Sequence, residues 1–231
     1  MAKYKGVNVL EVLEGADRYN NWIAQRIMSY IASPALEIGA GIGNISSFFT
    51  HLQELTLTDF DQSLVEKLNK RFQSKKNIKA EVLDIQKDFS KVRTTFKTVY
   101  SVNVLEHLKD DEKALRNIHN MLDSKGKVVL LVPAKRFAYT NLDKDLGHYR
   151  RYEKKELVDK LEKAGFKVKE VSFFNAAGLA SWIIRDKISN GESLKPYQVK
   201  LFDMVVPLLR RLEPKKIMPI GISLIAVGEK R

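Results

Sequence analysis

The sequence predicts an α/β fold in which helices cover both faces of a mostly parallel sheet. Short apolar segments alternate with amphipathic helical segments along most of the chain. This alternation is typical of parallel sheets, which bury both faces. A bend with alternating glycines, residues 39–43, follows the first apolar segment, and Asp59, Asp84 and Asn103 end or follow later ones. Ligands in such sheets bind beyond the carboxyl ends of the strands, so we expect a site there.

The elements of the first half follow from apolar spacing and from residues that begin or end helices. Ser33-Pro34 ends the first helix, since the residue before proline disfavours helical geometry. Asp61 or Ser63 can cap the helix after the second strand. The predicted elements are a helix over 20–31, a strand over 35–38, a helix over 45–52, a strand over 55–58, a helix through 64–72, and strands over 78–83 and 98–102.

The second half follows the same logic. Asp110 can cap a helix, and residues 124–126 predict a turn. Gly165 is a typical helix stop. The predicted elements are a helix after Asp110 through 122, a strand over 127–132, a helix over 154–164, and strands over 166–173 and 223–227.

Composition excludes several classes of protein. The 231 residues include no cysteine, which excludes disulfides, thiolate metal sites, cysteine nucleophiles and cysteine-ligated iron–sulfur centres. No apolar run approaches the length of a membrane span, and the N-terminus lacks a secretory signal, so we expect a cytoplasmic protein. The formal net charge of +12 can attract nucleic acid, anionic lipid or an anionic substrate, or it can reflect a lysine-rich solvated surface.

The glycine bend departs from the dinucleotide fingerprint. That fingerprint is G-x-G-x-x-G/A, whereas Gly39, Gly41 and Gly43 give G-x-G-x-G and Asn44 occupies the last glycine position. Close packing against a pyrophosphate is therefore disfavoured. The Asp59 carboxylate at the end of the next strand can still accept hydrogen bonds from two ribose hydroxyls.

Four motifs in order resemble the cofactor half of class I S-adenosylmethionine-dependent methyltransferases. They are LEIGAGIGN (36–44), TLTDFD (56–61), LDI (83–85) and YSVNVLEHL (100–108). The resemblance covers roughly residues 17–173 plus the last strand. It implies one domain over 1–231 with a Rossmann-like, doubly wound, seven-stranded sheet whose last strand is antiparallel, and it implies S-adenosylmethionine as cofactor.

The resemblance also implies roles for individual residues toward that cofactor. The glycine bend would line its methionine end and ribose, Asp59 would hold the ribose hydroxyls, Asp84 would accept from the adenine amine, and Asn103 would lie beneath the sulfonium. The residues so implied are Glu37, Gly39, Ala40, Gly41, Asp59, Phe60, Asp84, Ile85 and Asn103.

The segment before the fourth helix and the N-terminal segment carry two further expectations. Many relatives read E-V-x-E-H where this chain reads Asn103-Val104-Leu105-Glu106-His107, so we expect no required metal. Residues 8–32 resemble a helical lid, in which Tyr19 and Trp22 would cover the cofactor; alternatively, this helix packs on the body of the domain.

The segment 145–152 is the expected substrate side. Tyr149, Arg150, Arg151 and Tyr152 are the candidate substrate-binding residues, because paired arginines bind carboxylate or phosphate. The alternative is that these arginines pair with nearby acids such as Glu153 and Glu156. His107 and His148 are the candidate catalytic bases.

Residues 174–218 form an insertion before the last strand. Within it, residues 195–216 carry six basic residues against two acids, which suits a cap over the site first, a homodimer or other partner surface second, and a peripheral contact with anionic membrane third.

The sequence thus predicts a methyltransferase that acts on an oxygen, nitrogen or carbon of a small, anionic or lipid- or glycan-linked acceptor. The alternatives are an RNA or protein methyltransferase, a nicotinamide-dependent oxidoreductase, and a non-catalytic cofactor-binding partner. Absence of a [D/N]-P-P-[Y/F] motif at 103–105 and of an appended RNA-binding module argues against nucleic acid.

Overall fold

The structure, a computed structural model, describes residues 7–87, 95–189, 195–213 and 219–231. Seven strands of these residues form one sheet in the order β3-β2-β1-β4-β5-β7-β6. All neighbours pair in parallel except β7, which is antiparallel to both β5 and β6. The predicted fold class, including the antiparallel last strand, is therefore confirmed. The strands are β1 Ala35–Ile38, β2 Leu55–Asp59, β3 Ile78–Val82, β4 Phe96–Val102, β5 Leu122–Pro133, β6 Phe166–Phe174 and β7 Ser223–Lys230.

Helices cover both faces of the sheet and enclose two apolar clusters. Side chains of β5 alternate between them: Val128 and Leu130 join the cluster with α4 and α6, whereas Val129 and Leu131 join the cluster with α2 and α8. The helices in the described residues are α1 Val7–Glu14, α2 Asp17–Ile27, α3 Gln62–Arg71, α4 Asp111–Met121, α5 Asn141–Asp145, α6 Lys154–Lys163, α7 Ala176–Ser189 and α8 Pro196–Leu212.

The predicted helix caps are present. The Asp61 side chain accepts from the Ser63 backbone N–H at 2.9 Å and begins α3. The Asp110 side chain accepts from the Lys113 N–H at 2.8 Å and begins α4. Gly165, with φ of 97°, follows α6 in the left-handed conformation that ends helices. These local signals therefore fix where the helices meet the strand ends.

Two predicted elements differ from the structure. The helix predicted over 45–52 is a single 3₁₀ turn, Ser46–Phe49, whose first and last side chains both point into the core. The turn predicted over 124–126 lies within β5, which begins at Leu122. Pairing with β4 shifts register there, and Lys125 has a φ of 62°, so these residues form an irregularity in the strand.

The segment predicted as a lid, 8–32, forms α1, α2 and a 3₁₀ turn at Met28–Tyr30. The amino end of α2 is capped from α8, since the Asp203 carboxylate accepts from the backbone N–H groups of Arg18 and Tyr19 at 3.3 and 2.8 Å. The predicted insertion, 174–218, contributes α7 and α8, and its residues 190–194 and 214–218 lie outside the described residues. Its role as cap or partner surface stays a prediction.

None of the helices in the described part of the chain combines the length and apolar character that crossing a bilayer requires.

Candidate cofactor and acceptor site

The glycine bend follows β1 and needs glycine for reasons within the chain itself. Gly39, Gly41 and Gly43 have φ values of 68°, 59° and 88°, which side chains rarely adopt. A Cβ on Gly39 would collide with the Val104 side chain, and one on Gly43 would approach Phe72 Cε2 at 2.7 Å. The sequence interpretation assigned these glycines to close approach of a ligand; packing against the segment after β4 is a second reason.

Replacing Gly39 by alanine is expected to lower the free energy of unfolding by about 1–3 kcal/mol, because left-handed geometry and the collision with Val104 both oppose a side chain. The matched control is Gly147→Ala, where φ is 80° but nothing lies within 4 Å of the added Cβ. Urea unfolding of both variants separates the collision from the backbone penalty. An equal loss of unfolding free energy in the two variants would show that the Val104 side chain moves aside and that the collision adds no penalty.

Asp59 ends β2 next to this bend. One carboxylate oxygen accepts from the Gly41 N–H at 3.0 Å, and the other accepts from the Asp61 N–H at 3.0 Å. Burial raises the pKa of Asp59, and these backbone hydrogen bonds oppose the rise. The Phe60 backbone also contributes a hydrogen bond to this carboxylate. A carboxylate accepts about four hydrogen bonds, so capacity for a ribose hydroxyl remains.

Glu37 lies beneath the bend rather than on its surface. A single oxygen of its buried carboxylate accepts from Ser46 Oγ at 2.5 Å and from Tyr100 Oη at 2.8 Å. Burial raises the pKa of Glu37 to about 7, although both hydrogen bonds oppose the rise. Glu37 therefore braces the bend against β4 from within the core.

The Glu37 carboxyl is expected to make the folded protein less stable as pH rises. Its pKa is about 7 when folded and near 4.5 when exposed, so its contribution is complete below pH 4.5 and is lost as pH rises through 7. The full span is about 3 kcal/mol. Glu37→Gln keeps an oxygen for both donors and should remove this loss of stability between pH 5 and 8, whereas the opposing contributions of Glu106 and His107, with pKa values of about 7 and 4, should persist. Urea unfolding at several pH values measures this loss; an unaltered loss contradicts the assignment.

The remaining predicted cofactor residues divide between surface and core. Phe60 is 43% exposed and Asn103 is exposed with a φ of 54°, so both can reach a ligand. The Asp84 carboxylate is half-buried and accepts from the Gln86 N–H at 3.1 Å. Ile85 and Ala40 are buried in the two apolar clusters.

Tyr19 and Trp22, predicted to cover the cofactor, pack into the body of the domain. Trp22 is 2% exposed and meets the Phe174 ring edge-on at a centroid distance of 4.6 Å. Tyr19 stacks on the same ring at 6.2 Å. These contacts favour the alternative in which the helix packs on the domain. The residue of the predicted lid that meets the glycine bend is Leu10, whose Cδ1 lies 3.0 Å from the position of a Cβ on Gly41.

Glu106, His107 and His148 meet where β4 ends and the segment after β5 returns. The two imidazole rings lie edge to face with centroids 4.5 Å apart. His148 Nε2 lies 4.0 Å from a Glu106 carboxylate oxygen. Burial and the neighbouring His148 lower the pKa of His107 to about 4, whereas burial raises the pKa of Glu106 to about 7. Both predicted bases therefore lie together, beside a carboxyl that the sequence interpretation left without a role.

A buried Asp143 holds His148 in place. His148 Nδ1 lies 2.7 Å from one Asp143 oxygen, and Arg151 Nε donates to both Asp143 oxygens at 3.0 Å. The same guanidinium lies 4.8 Å from the Trp182 ring of α7. These contacts lower the pKa of Asp143 against the opposing effect of burial. Asp143 thus orients the His148 ring and leaves Nε2 directed toward Glu106.

The other predicted substrate residues lie in a second ion-pair network. Arg150 Nη1 pairs with Asp111 Oδ2 at 2.7 Å, and the buried Tyr152 donates to the same carboxylate at 2.8 Å. The arginines are thus paired with acids, but the partners are Asp111 and Asp143 rather than the sequence neighbours Glu153 and Glu156. Tyr149 is 57% exposed and is the one of the four that faces solvent most.

Comparisons with known proteins agree with this geometry. Residues 36–128 match a family described as methyltransferase domain. No curated protein matches the chain. The resemblance to methyltransferases is therefore supported by the family match over residues 36–128.

Three solved structures illustrate the fold match. One is a possible histamine N-methyltransferase from Thermotoga maritima, with 17% identity, coverage of 97% of this chain and 96% of that chain, and a TM-score of 0.66. The second is the N-methyltransferase NodS from Bradyrhizobium japonicum with S-adenosylhomocysteine, with 15% identity, coverage of 92% and 85%, and a TM-score of 0.59. The third is the [4+2]-cyclase SpnF, with 14% identity, coverage of 93% and 81%, and a TM-score of 0.62. At these identities the likeness establishes the fold, and the reaction must be argued from the site.

Proposed function

We propose, because residues 36–128 match a methyltransferase domain family, that this chain transfers a methyl group from S-adenosylmethionine to an oxygen or nitrogen of a small acceptor. The observation that carries the proposal is the contact between Asp59 and the Gly41 N–H. It fixes a ribose-binding carboxylate against an uncharged bend, at the carboxyl ends of the adjacent strands β1 and β2. Such a bend suits a nucleoside without phosphates.

The reaction needs alignment and one proton acceptor. The acceptor atom forms a bond to the methyl carbon as the carbon–sulfur bond breaks, and the bonding pair stays on sulfur to give S-adenosylhomocysteine. The proton of the acceptor leaves to a base. His148 suits this step because Asp143 holds its Nδ1, which leaves Nε2 to take the proton.

The proposal of an anionic acceptor, or of one linked to a lipid or a glycan, is based on the net charge of +12. Arg150 and Arg151 are already paired with Asp111 and Asp143, so they support a positioning role more than direct anion binding. Tyr149 and Phe60, both exposed, offer aromatic surface to the acceptor and the adenine. Assays with a panel of substrates are therefore needed to identify the acceptor class.

Binding tests the cofactor assignment. Calorimetry should register S-adenosylhomocysteine binding in the micromolar range and no heat with NAD⁺. Preference for NAD⁺ would support the oxidoreductase alternative instead.

Turnover tests the reaction. Radiolabelled methyl transfer to a panel of hydroxyl- and amine-bearing anions, lipid-linked sugars and RNA should label one small-molecule class. An RNA product whose formation falls steeply with salt would support the RNA alternative. Cofactor binding without any labelled product would support the non-catalytic alternative.

The outer face of α8 supports the predicted partner surface. Its inner face packs against α2, yet large apolar side chains on its other side are between 43% and 71% exposed: Tyr197, Leu201, Met204, Val205, Leu208 and Leu212. A helix that is apolar on both sides is typical of a covered helix. Whether a second copy or an anionic membrane covers it stays a prediction, which concentration-dependent sedimentation and vesicle flotation would separate.

A further inference from the structure

We propose that Glu106, His107 and His148 form a binding site for one divalent transition-metal ion of the zinc type. One potential ligand atom from each residue lies within 4.8 Å of the other two. Glu106 and His107 follow β4, whereas His148 follows α5, so the fold brings together ligands that are 41 residues apart in the chain. Two imidazoles and one carboxylate are a ligand set that zinc enzymes use, with a fourth position left open.

The Glu106 carboxylate is the strongest observation. Its side chain has 0% exposure, and within the described residues neither oxygen accepts a hydrogen bond from another side chain or backbone group. A buried polar group without partners is rare and destabilising. One of its oxygens lies within 4.8 Å of a nitrogen of each imidazole, so a cation at this point would give that oxygen a partner.

The histidines are oriented as metal ligands usually are. Such histidines generally donate the second ring N–H to a carboxylate or a backbone carbonyl, which fixes the ring and its tautomer. His148 Nδ1 has the Asp143 carboxylate at 2.7 Å, and the His107 ring is hydrogen-bonded to the backbone at Gly147. His148 Nδ1 is thereby committed to its support, and the His107 ring is also hydrogen-bonded to the backbone at Leu146.

The local charges favour a dication. Asp143 and Arg151 form a buried pair, so the Glu106 carboxylate has only the weaker attraction of Arg151 and of His148, whose Nε2 lies 4.0 Å away. Tyr139, the remaining titratable neighbour, donates its hydroxyl to the His148 carbonyl. Imidazole ligands favour zinc, copper, iron or nickel over magnesium, calcium and manganese.

The ligands must approach one another slightly to bind. Tetrahedral zinc with bonds near 2.0–2.1 Å places its ligand atoms about 3.4 Å apart. His148 Nε2 lies 4.0 Å from Glu106 Oε1, so side-chain movements that displace these atoms by under about 1 Å bring the two ligands to the required spacing.

This inference revises the expectation of no required metal. That expectation rested on the replacement of an acid by Asn103 at the end of β4. Three ligands with an open fourth position do not need that acid. If the proposed methyl transfer is correct, metal binding would occupy His148 Nε2, so the dication would replace His148 in activating the acceptor: it would lower the pKa of a hydroxyl at the open position, whose proton would leave to water.

Metal binding is measured without cofactor or acceptor, so its failure is distinct from failure of the methyltransferase assignment. Tag-free, chelator-treated protein is titrated calorimetrically with Zn²⁺ and with Mg²⁺, and spectroscopically with Co²⁺. We expect one equivalent of Zn²⁺ to bind at least tenfold more tightly than Mg²⁺, and a visible Co²⁺ band typical of low coordination number.

Three variants assign the site. Glu106→Gln and His148→Gln should each weaken Zn²⁺ binding at least tenfold, whereas His51→Gln, an exposed histidine outside the cluster, should leave it unchanged. Glu106→Gln removes a buried charge, so its metal-free melting temperature should equal or exceed that of the wild type, which guards against misfolding. Binding that is equal in wild type and Glu106→Gln, or absent from both, overturns the proposal.

Discussion

Replacing Asp59 by alanine is expected to weaken S-adenosylhomocysteine binding by at least about 100-fold. Hydrogen bonds to a charged group contribute about 1.5–3 kcal/mol each, and two ribose hydroxyls lose their acceptor together. The side chain also holds the N–H groups of Gly41 and Asp61, so the glycine bend loses its fixed position as well. Calorimetric titration of both proteins gives the ratio of dissociation constants.

A ligand change provides the matched control for Asp59. The wild type should bind 2′-deoxy-S-adenosylhomocysteine less tightly than the parent compound, whereas Asp59→Ala should distinguish the two ligands much less. This cycle isolates the contact between carboxylate and hydroxyl from general damage to the bend. If the variant discriminates as well as the wild type does, Asp59 does not hold the ribose.

Replacing Asp143 by alanine is expected to lower the free energy of unfolding by about 3–5 kcal/mol. Arg151 is 3% exposed, and without Asp143 its guanidinium remains buried with the Ala134 carbonyl and the Trp182 ring as neighbours. The Thr140 backbone N–H, 2.8 Å from the same carboxylate, also loses its acceptor. Urea unfolding followed by circular dichroism measures the difference.

Two further variants test the cause of that loss. Asp143→Ala combined with Arg151→Met removes both charges and should recover part of the stability. Asp159→Ala breaks the exposed Lys155–Asp159 pair and should change stability by less than about 1 kcal/mol. A loss in Asp143→Ala no larger than in Asp159→Ala would contradict the proposed role of the buried pair.

Local signals in the sequence predict the framework well. The side chains of Asp61 and Asp110 reach backbone groups two and three residues ahead, so their caps depend on short-range geometry that the sequence displays. The segment 45–52 was predicted wrongly because its apolar spacing fits a helix, whereas Ser46 is drawn into the core by its bond to Glu37. Long-range contacts of that kind outweigh local preference.

The candidate site is predictable in part for the same reason. His107 and His148 stand out as titratable residues near strand ends, and the structure brings them together. Glu106 matches the E-V-x-E-H pattern, but its burial without a hydrogen-bond partner depends on which elements fold around it. The pairing of Arg151 with Asp143 depends on the path of the chain between α5 and α6, which no periodic pattern describes.

The position of β7 between β5 and β6 imposes an order on assembly. β6 has β7 as its sheet neighbour, so it cannot join the sheet before β7 arrives. During synthesis strands β1 to β4 and their neighbour β5 can emerge and associate while β6 is still unpaired. The nascent chain can therefore form the part of the sheet that contains β1 to β5 while the edge that contains β7 and β6 is still incomplete.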